Sequence, residues 1–294
     1  MGLALMGEIV LGSADIELSI LPEAGARVHR LRAFGHDILR TPDDPVEHQR
    51  DPFFWGAYQM APWCNRIAAR PTSVAGETVD LAPNFRDGTA IHGQVYLRAW
   101  NMDGSGEFSC AGGGDGWPWP YVARAHFAVD GREIRIRQSI HNVGDSAMPA
   151  GLGLHPWFRK RVQVAINARQ VFDTNWGSAP APEPIRGKLD LRSLAEMPAD
   201  LDGTWTGLSR PPVRLLWPEF GIGATMDIEA PSTFVVAASP SELDAIAVEP
   251  QTHAPDGLRR FANHETGALA LVEPGSSLTL ETRLTFEPTQ EDRP

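Results

Sequence analysis

The chain has 294 residues, long for an average domain but ordinary for one large β sandwich or barrel, and 42% hydrophobic residues, with 9 Trp and 12 Phe among them, supply a sizeable core. Its 37 acidic residues against 26 Lys and Arg give a formal net charge of −11, which argues against a nucleic-acid or anionic-membrane partner, since both require concentrated positive charge. Two cysteines, Cys64 and Cys110, make neither a disulfide framework nor a zinc cluster, and no metal is expected.

The first ten residues are apolar but lack a basic start and soon meet Glu8, Asp15 and Glu17, so they do not read as a signal peptide. No apolar run approaches the roughly 20 residues that cross a bilayer, and a cytoplasmic protein is expected. Strands are predicted at Ile16–Leu21, Arg27–Ala33 and Ala123–Val129. In Glu133–Ile140 the period is two: Ile134, Ile136 and Ile140 share one face, and Glu133, Arg135 and Arg137 the other. Between these last two strands Val129-Asp130-Gly131-Arg132 predicts a hairpin, because Asp-Gly suits the positive-φ conformations of tight turns.

Further strands are expected at Val162–Ile166, Val213–Trp217, Thr233–Ala237 and Ala268–Val272. The Pro-rich stretch 178–186 reads as an ordered loop, and Leu191–Met197 as one or two helical turns, with no longer helix in view. From Leu278 to Phe286 the alternation is cleanest, with Leu278, Leu280, Leu284 and Phe286 opposite Thr279, Glu281, Arg283 and Thr285. Turn residues punctuate these runs, 28 Gly and 25 Pro in all, so the reading is an all-β chain of antiparallel strands forming one domain over residues 1–294. The glycines at 112–116 precede neither Lys-Ser/Thr nor a helix, which leaves no phosphate cradle.

Polar groups held among apolar, Gly and Pro residues are where burial tunes proton transfer. Four segments qualify: Pro62-Trp63-Cys64-Asn65-Arg66-Ile67, Ala90-Ile91-His92-Gly93, Gly151-Leu152-Gly153-Leu154-His155-Pro156-Trp157-Phe158, and Ile246-Ala247-Val248-Glu249-Pro250-Gln251-Thr252. Each also has a structural reading. A histidine among aromatics is commonly a satisfied core residue, Glu249 before a proline fits a strand leaving for solvent, and Arg66 fits an ion pair. The chain has no HExxH, no GxSxG elbow and no Walker loop. What remains is histidine–carboxylate acid–base chemistry.

These segments, in this order, resemble the motifs of the aldose 1-epimerase (galactose mutarotase) family. Pro62 to Ile67 is similar to its Pro-Trp-Pro-Asn-Arg-Ile, with Cys64 in place of Pro. Ile91-His92-Gly93 is similar to its Leu-His-Gly, and Met148 to Phe158 to its Met-Pro-x-Gly-x-Gly-x-His-Pro-Tyr-Phe, with Trp157 in place of Tyr. Leu201-Asp202 resembles a later Leu-Asp element, and Val248 to His253 the Glu-Pro-x-Thr strand. The resemblance implies a large antiparallel β supersandwich, galactose mutarotase-like, with an open sugar cleft on one face.

It further implies an isomerase, an aldose 1-epimerase or mutarotase that needs no cofactor, with a small-molecule sugar as its partner and a monomer or homodimer as its state. Glu249 is then the catalytic base and His155 the catalytic acid, while Arg66, His92 and Asp202 bind sugar hydroxyls, and Trp63 or Trp157 offers a ring face to the sugar. Two alternatives share the fold. One is an epimerase of a phosphorylated or sulfonated hexose, for which Arg70, Arg86, Arg98 and Arg159 are candidate anion ligands. The other is a non-catalytic carbohydrate-binding protein.

Overall fold

A computed structural model describes residues 7–173 and 181–289. Two large sheets dominate it, one of eleven strands and one of nine, and every pairing between their strands among the described residues is antiparallel. The nine-stranded sheet is built around its longest strands, Trp117–Asp130, Glu133–Asn142 and Ser277–Pro288. The eleven-stranded sheet carries, side by side, Ala57–Met60, Gly153–Arg159, Ala245–Gln251, Phe234–Ala238 and Asp202–Thr206.

The period-two alternation explains how the sheets pack. Ile134, Ile136 and Ile140 are buried, as are Leu278, Leu280, Leu284 and Phe286, and they join Trp117, Trp119 and Phe127 in one core cluster with Leu154, Phe158 and Val248 of the other sheet. Each such side chain contributes about 1.5–3 kcal/mol by leaving water. Gln138 lies in the same inward row and is buried too. Its amide donates to Gln59 of the facing sheet, and Gln59 donates in turn to the Ala26 carbonyl at 3.4 Å, so a polar contact joins the two layers through the apolar core.

Ile16–Leu21, Arg27–Ala33 and Val213–Trp217 are strands over the predicted residues, while Gln163–Ile166, Phe234–Ala238 and Ala270–Val272 differ at their ends by one or two. Two local expectations are corrected. The hairpin pairs Asp130 with Glu133, so its two-residue turn is Gly131-Arg132 rather than Asp130-Gly131. Gly131 has φ 56° and Arg132 does not enter positive φ, the φ pattern of a type II′ turn with Gly leading. Leu191–Met197 is not helical: a 3₁₀ turn at Gly187–Leu189 is followed by a two-residue edge strand, Ala195–Glu196. Burial of Leu189 and Leu191 around an exposed Asp190 is a strand-like alternation, and the Leu191 carbonyl accepts from Ile166 N–H at 2.7 Å. Of the Pro-rich stretch, residues 178–180 lie outside the described residues, and Glu183–Pro184 pairs with the strand Gln170–Asp173. Two short helices, Glu47–Arg50 and Gly257–Ala262, had no clear periodic signal. No helix among the described residues is long and apolar enough to cross a membrane.

Candidate active site

Strand register builds the site. Gly153 faces Gln251 and Trp157 faces Ala247, which sets His155 opposite Glu249 between them. His155 in turn faces Tyr58, and Glu249 faces Val236. The neighbouring row runs Trp157, Ala247, Ala238, Asp202. Both rows lie on the sheet face turned away from the inter-sheet core, since alternate residues Leu154, Phe158, Ile246 and Val248 point the other way into it. The small side chains Val236, Ala238 and Ala247 leave a hollow flanked by Glu249, Asp202 and Trp157. Loops carrying Phe53, Phe54, Phe85, Arg86, His92, Asp200 and Pro240 wall it into a cleft of about 290 Å³, near the lower limit of the ~300–1,000 Å³ of small-molecule sites.

At its floor, His155 Nε2 lies 3.2 Å from Glu249 Oε1, and both side chains are nearly inaccessible, 6% and 4% exposed. Tyr58 stacks on the His155 ring at 4.6 Å with a 23° tilt, and His92 meets it edge-on at 5.0 Å. His155 Nδ1 is buried without a hydrogen-bond partner. The other Glu249 oxygen, Oε2, accepts from Gln251 Nε2 at 2.7 Å, and Gln251 Oε1 accepts from Asn65 Nδ2 at 2.7 Å. Asn65 N–H donates to His92 Nδ1 at 3.3 Å, which fixes the proton of a neutral His92 on Nε2. Asn65 and His92 have φ of 55° and 60°. Both therefore adopt the left-handed conformation, one that Asn and His enter more readily than most residues.

Burial governs the electrostatics. It pushes the His155 imidazole down to about 3, with Arg27 adding to the effect. It raises the Glu249 carboxyl well above the ordinary range; the Asp202 charge raises it further, while the Gln251 hydrogen bond and Arg66 oppose. His92 is held neutral by burial, then by His155 and Arg66. Asp202 is open to the cleft, yet protein surrounds it closely enough to raise its carboxyl, against the pull of Arg66. Arg66 borders the cleft with its Nε donating to Asp87 at 2.7 Å and its guanidinium 5.2 Å from the Phe85 ring centre.

Glu249, His155, His92, Arg66, Asp202 and Trp157 thus meet around one cleft. Trp63 does not. Its indole is buried against Trp117 at 5.2 Å and borders a separate hollow with Leu81, Gln94 and Arg98. It lies on the other side of the turn that presents Arg66, so Trp157 and not Trp63 lines the cleft. Of the four arginines weighed as anion ligands, only Arg86 lines the cleft, and it faces Glu242 at 3.6 Å. Among the described residues, no group of three or more His, Cys, Asp or Glu side chains is disposed to hold a metal ion.

The family model of aldose 1-epimerase matches residues 8–285. The chain belongs to the aldose 1-epimerase family. Uncharacterized protein YphB of Escherichia coli K12 is similar at 24% identity over 256 residues, 78% of this chain and 83% of that one. Among solved structures, a galactose mutarotase-like protein from Clostridium acetobutylicum superposes with TM-score 0.80 at 15% identity, covering 97% of this chain and 99% of that one. A galactose 1-epimerase from Lactobacillus acidophilus does so with TM-score 0.77 at 16% identity, covering 96% and 95%. The two sheets described above are therefore the galactose mutarotase-like fold.

Several residues that line or support the cleft of this aldose 1-epimerase family member carry little signal in the sequence. Tyr58 sits in a short strand, Ala57–Met60, whose four residues are all buried, which erases any alternation. Phe53 and Phe54 come from an irregular loop whose place is fixed by hydrogen bonds, Trp157 Nε1–H to the Phe53 carbonyl at 2.5 Å and Arg40 Nη1–H to the Phe54 carbonyl at 2.5 Å. Gln251 stands two residues after Glu249, on the same strand face; that spacing was the available signal.

Proposed function

We propose that this chain is an aldose 1-epimerase acting on a neutral hexose, interconverting its α and β anomers by proton transfer between Glu249 and His155. One observation carries the reading: a carboxyl and an imidazole 3.2 Å apart, nearly inaccessible, at the floor of a cleft sized for one monosaccharide. Anomer exchange takes the proton from the C1 hydroxyl and delivers one to the ring oxygen. The ring opens, the C1–C2 bond turns, and closure on the other face reverses both transfers. No hydride or electron moves, so no cofactor enters.

The opposed shifts of the two groups suit this cycle. One proton shared by the pair can sit on either partner. With Glu249 ionised and His155 protonated, the pair can open the ring. With Glu249 protonated and His155 neutral, it can close it. Burial favours the uncharged arrangement, which is the one that accompanies the open-chain sugar. His92, Arg66 and Asp202 hydrogen-bond the hydroxyls, and Trp157 offers its ring to the sugar's apolar face.

The charge around the cleft favours a neutral sugar over a phosphorylated or sulfonated one. Asp200, Asp202 and Glu242 outnumber Arg66 and Arg86, and each of these arginines already faces a carboxylate. The test is anomer exchange followed by NMR on neutral, 6-phosphorylated and sulfonated hexoses. Acceleration of a neutral hexose is expected; acceleration confined to an anionic sugar, or binding of every sugar with exchange of none, would replace the proposal with one of its two alternatives.

A further inference from the structure

Glu249 acts in the proposed reaction only if its carboxylate is directed at the sugar and can ionise in a buried place. Oε1 is directed at His155, but the orientation of the group as a whole is fixed at Oε2, where Gln251 Nε2 donates at 2.7 Å. An amide can present either its N–H₂ or its oxygen, and only the former supports an ionised carboxylate. The choice is made one step further away. Asn65 Nδ2 donates to Gln251 Oε1 at 2.7 Å, which leaves Gln251 its nitrogen alone to offer Glu249.

The surroundings hold this chain of amides in place. Gln251 is fully buried, and Asn65 is 8% exposed. Gly153, directly opposite Gln251 in the sheet, must lack a side chain. A Cβ there would lie 2.7 Å from Cys64 Sγ and 3.1 Å from Gln251 Cγ. Asn65 in turn sits on the turn that carries Arg66, and its N–H is bonded to His92. Other groups whose charge acts on Glu249, or that are acted on by it, are His155, Asp202, Arg66, Tyr58 and Cys64. Of these, Arg66 favours ionisation by its charge, as does His155 when it holds the shared proton, and Arg66 is itself engaged with Asp87.

We propose that Asn65 and Gln251 are positioning residues for the epimerase reaction, Asn65 fixing the sense of the Gln251 amide so that a donor, and not a carbonyl, meets the Glu249 carboxylate. The inference rests on the reading of Glu249 as the base, but its first measurement does not need turnover.

Gln251→Met keeps the length of the side chain and removes the donor. Asn65→Asp keeps the shape and tolerates the left-handed backbone, but an acceptor at that place turns the amide so that its oxygen faces Glu249. The titration of Glu249 is followed by carbon NMR on glutamate-labelled protein, its signal assigned by its loss in Glu249→Gln. Both variants should move the midpoint upward, by about one pH unit for the lost donor. In activity, kcat at neutral pH should fall about 10–100-fold while KM stays within about twofold, and the alkaline limb of the pH profile should move up.

Combined in one protein, the two changes should fall short of additive, because without the amide there is nothing for Asn65→Asp to turn. A Glu249 midpoint unmoved in Gln251→Met, or full additivity in the pair, overturns the inference whether or not the wild type turns over a sugar. A moved midpoint with no exchange in the wild type keeps the positioning of the carboxylate but removes the reaction it was proposed to serve, and the inference as stated fails with it.

Discussion

Acidification from pH 7 to pH 5 should weaken the fold through buried histidines outside the proposed proton-transfer pair, His253 and His48 foremost, with His92 and His29, which burial also pushes down, acting in the same direction. His253 Nε2 accepts from Cys64 N–H at 2.9 Å, and its Nδ1–H donates to the Ala254 carbonyl at 2.7 Å, so a second proton would meet an N–H head-on. Burial first, and Arg260 with it, pushes His253 down to about 4. His48 is boxed in similarly, between Arg27 Nη1 at 3.4 Å and His29 Nδ1 at 2.9 Å, and burial, Arg27 and His29 push it down to about 2. Below the ordinary value of 6.5 the unfolded chain takes up a proton at each site and the folded chain does not, so stability falls as pH falls toward those depressed values. At pH 5 the gap of 1.5 units is worth about 2 kcal/mol per histidine, or ~4 kcal/mol for the two. That is a large part of the ~5–15 kcal/mol that holds a typical domain.

The Glu249–His155 pair adds little to this loss, because burial shifts its two members in opposite directions and their contributions to the slope offset each other. Urea unfolding followed by tryptophan fluorescence at both pH values measures the slope, since Trp117, Trp119, Trp205 and Trp217 are fully buried. His253→Gln should remove about 2 kcal/mol of the difference between the two pH values. A stability equal at pH 7 and pH 5, or a slope unchanged in His253→Gln, would refute the claim that these imidazoles are held neutral.

Gly153→Ala should cost about 1–3 kcal/mol by overpacking, because the added carbon lies 2.7 Å from both Cys64 Sγ and Met60 Cε; a thermal midpoint equal to the wild type's would mean that the neighbours yield freely. Asp202→Asn should raise KM for the sugar about tenfold or more through loss of a charged acceptor, with kcat less affected, and steady-state anomerisation kinetics across sugar concentration separate the two. Trp157→Phe removes the indole N–H that ties down the Phe53 carbonyl. It should cost about 1 kcal/mol in urea unfolding and weaken sugar affinity as the Phe53–Phe54 wall loosens; unaltered affinity would detach that wall from binding.

The fold was legible where one face of a strand is wet. Glu133–Asn142 and Ser277–Pro288 alternate along their length, with inward Ile and Leu against outward charges. The strands that carry the site are legible by motif and not by period, because Ala245–Gln251 is buried on both faces and reads as a continuous apolar run ending in a carboxylate. Glu249 and His155 stand 94 residues apart in sequence, and only the register of two adjacent strands makes them partners. Trp63 illustrates the opposite error. Its neighbours Asn65 and Arg66 belong to the cleft, but the intervening turn, with Asn65 in positive φ, sends the indole to the Trp117 side. Residues that support the site through hydrogen bonds, Gln251 above all, carry no signal of their own beyond their spacing from the groups they hold.

The most direct measurement compares anomer-exchange rates of wild type, Glu249→Gln and His155→Asn by NMR on a neutral hexose, with sugar binding and thermal unfolding measured on the same samples. Each substitution should slow exchange by at least ~10²-fold, the scale of one acid–base catalyst, while the fold and the sugar affinity persist. Exchange near the wild-type rate in either variant would contradict the account, because the proton would then be travelling through some other group.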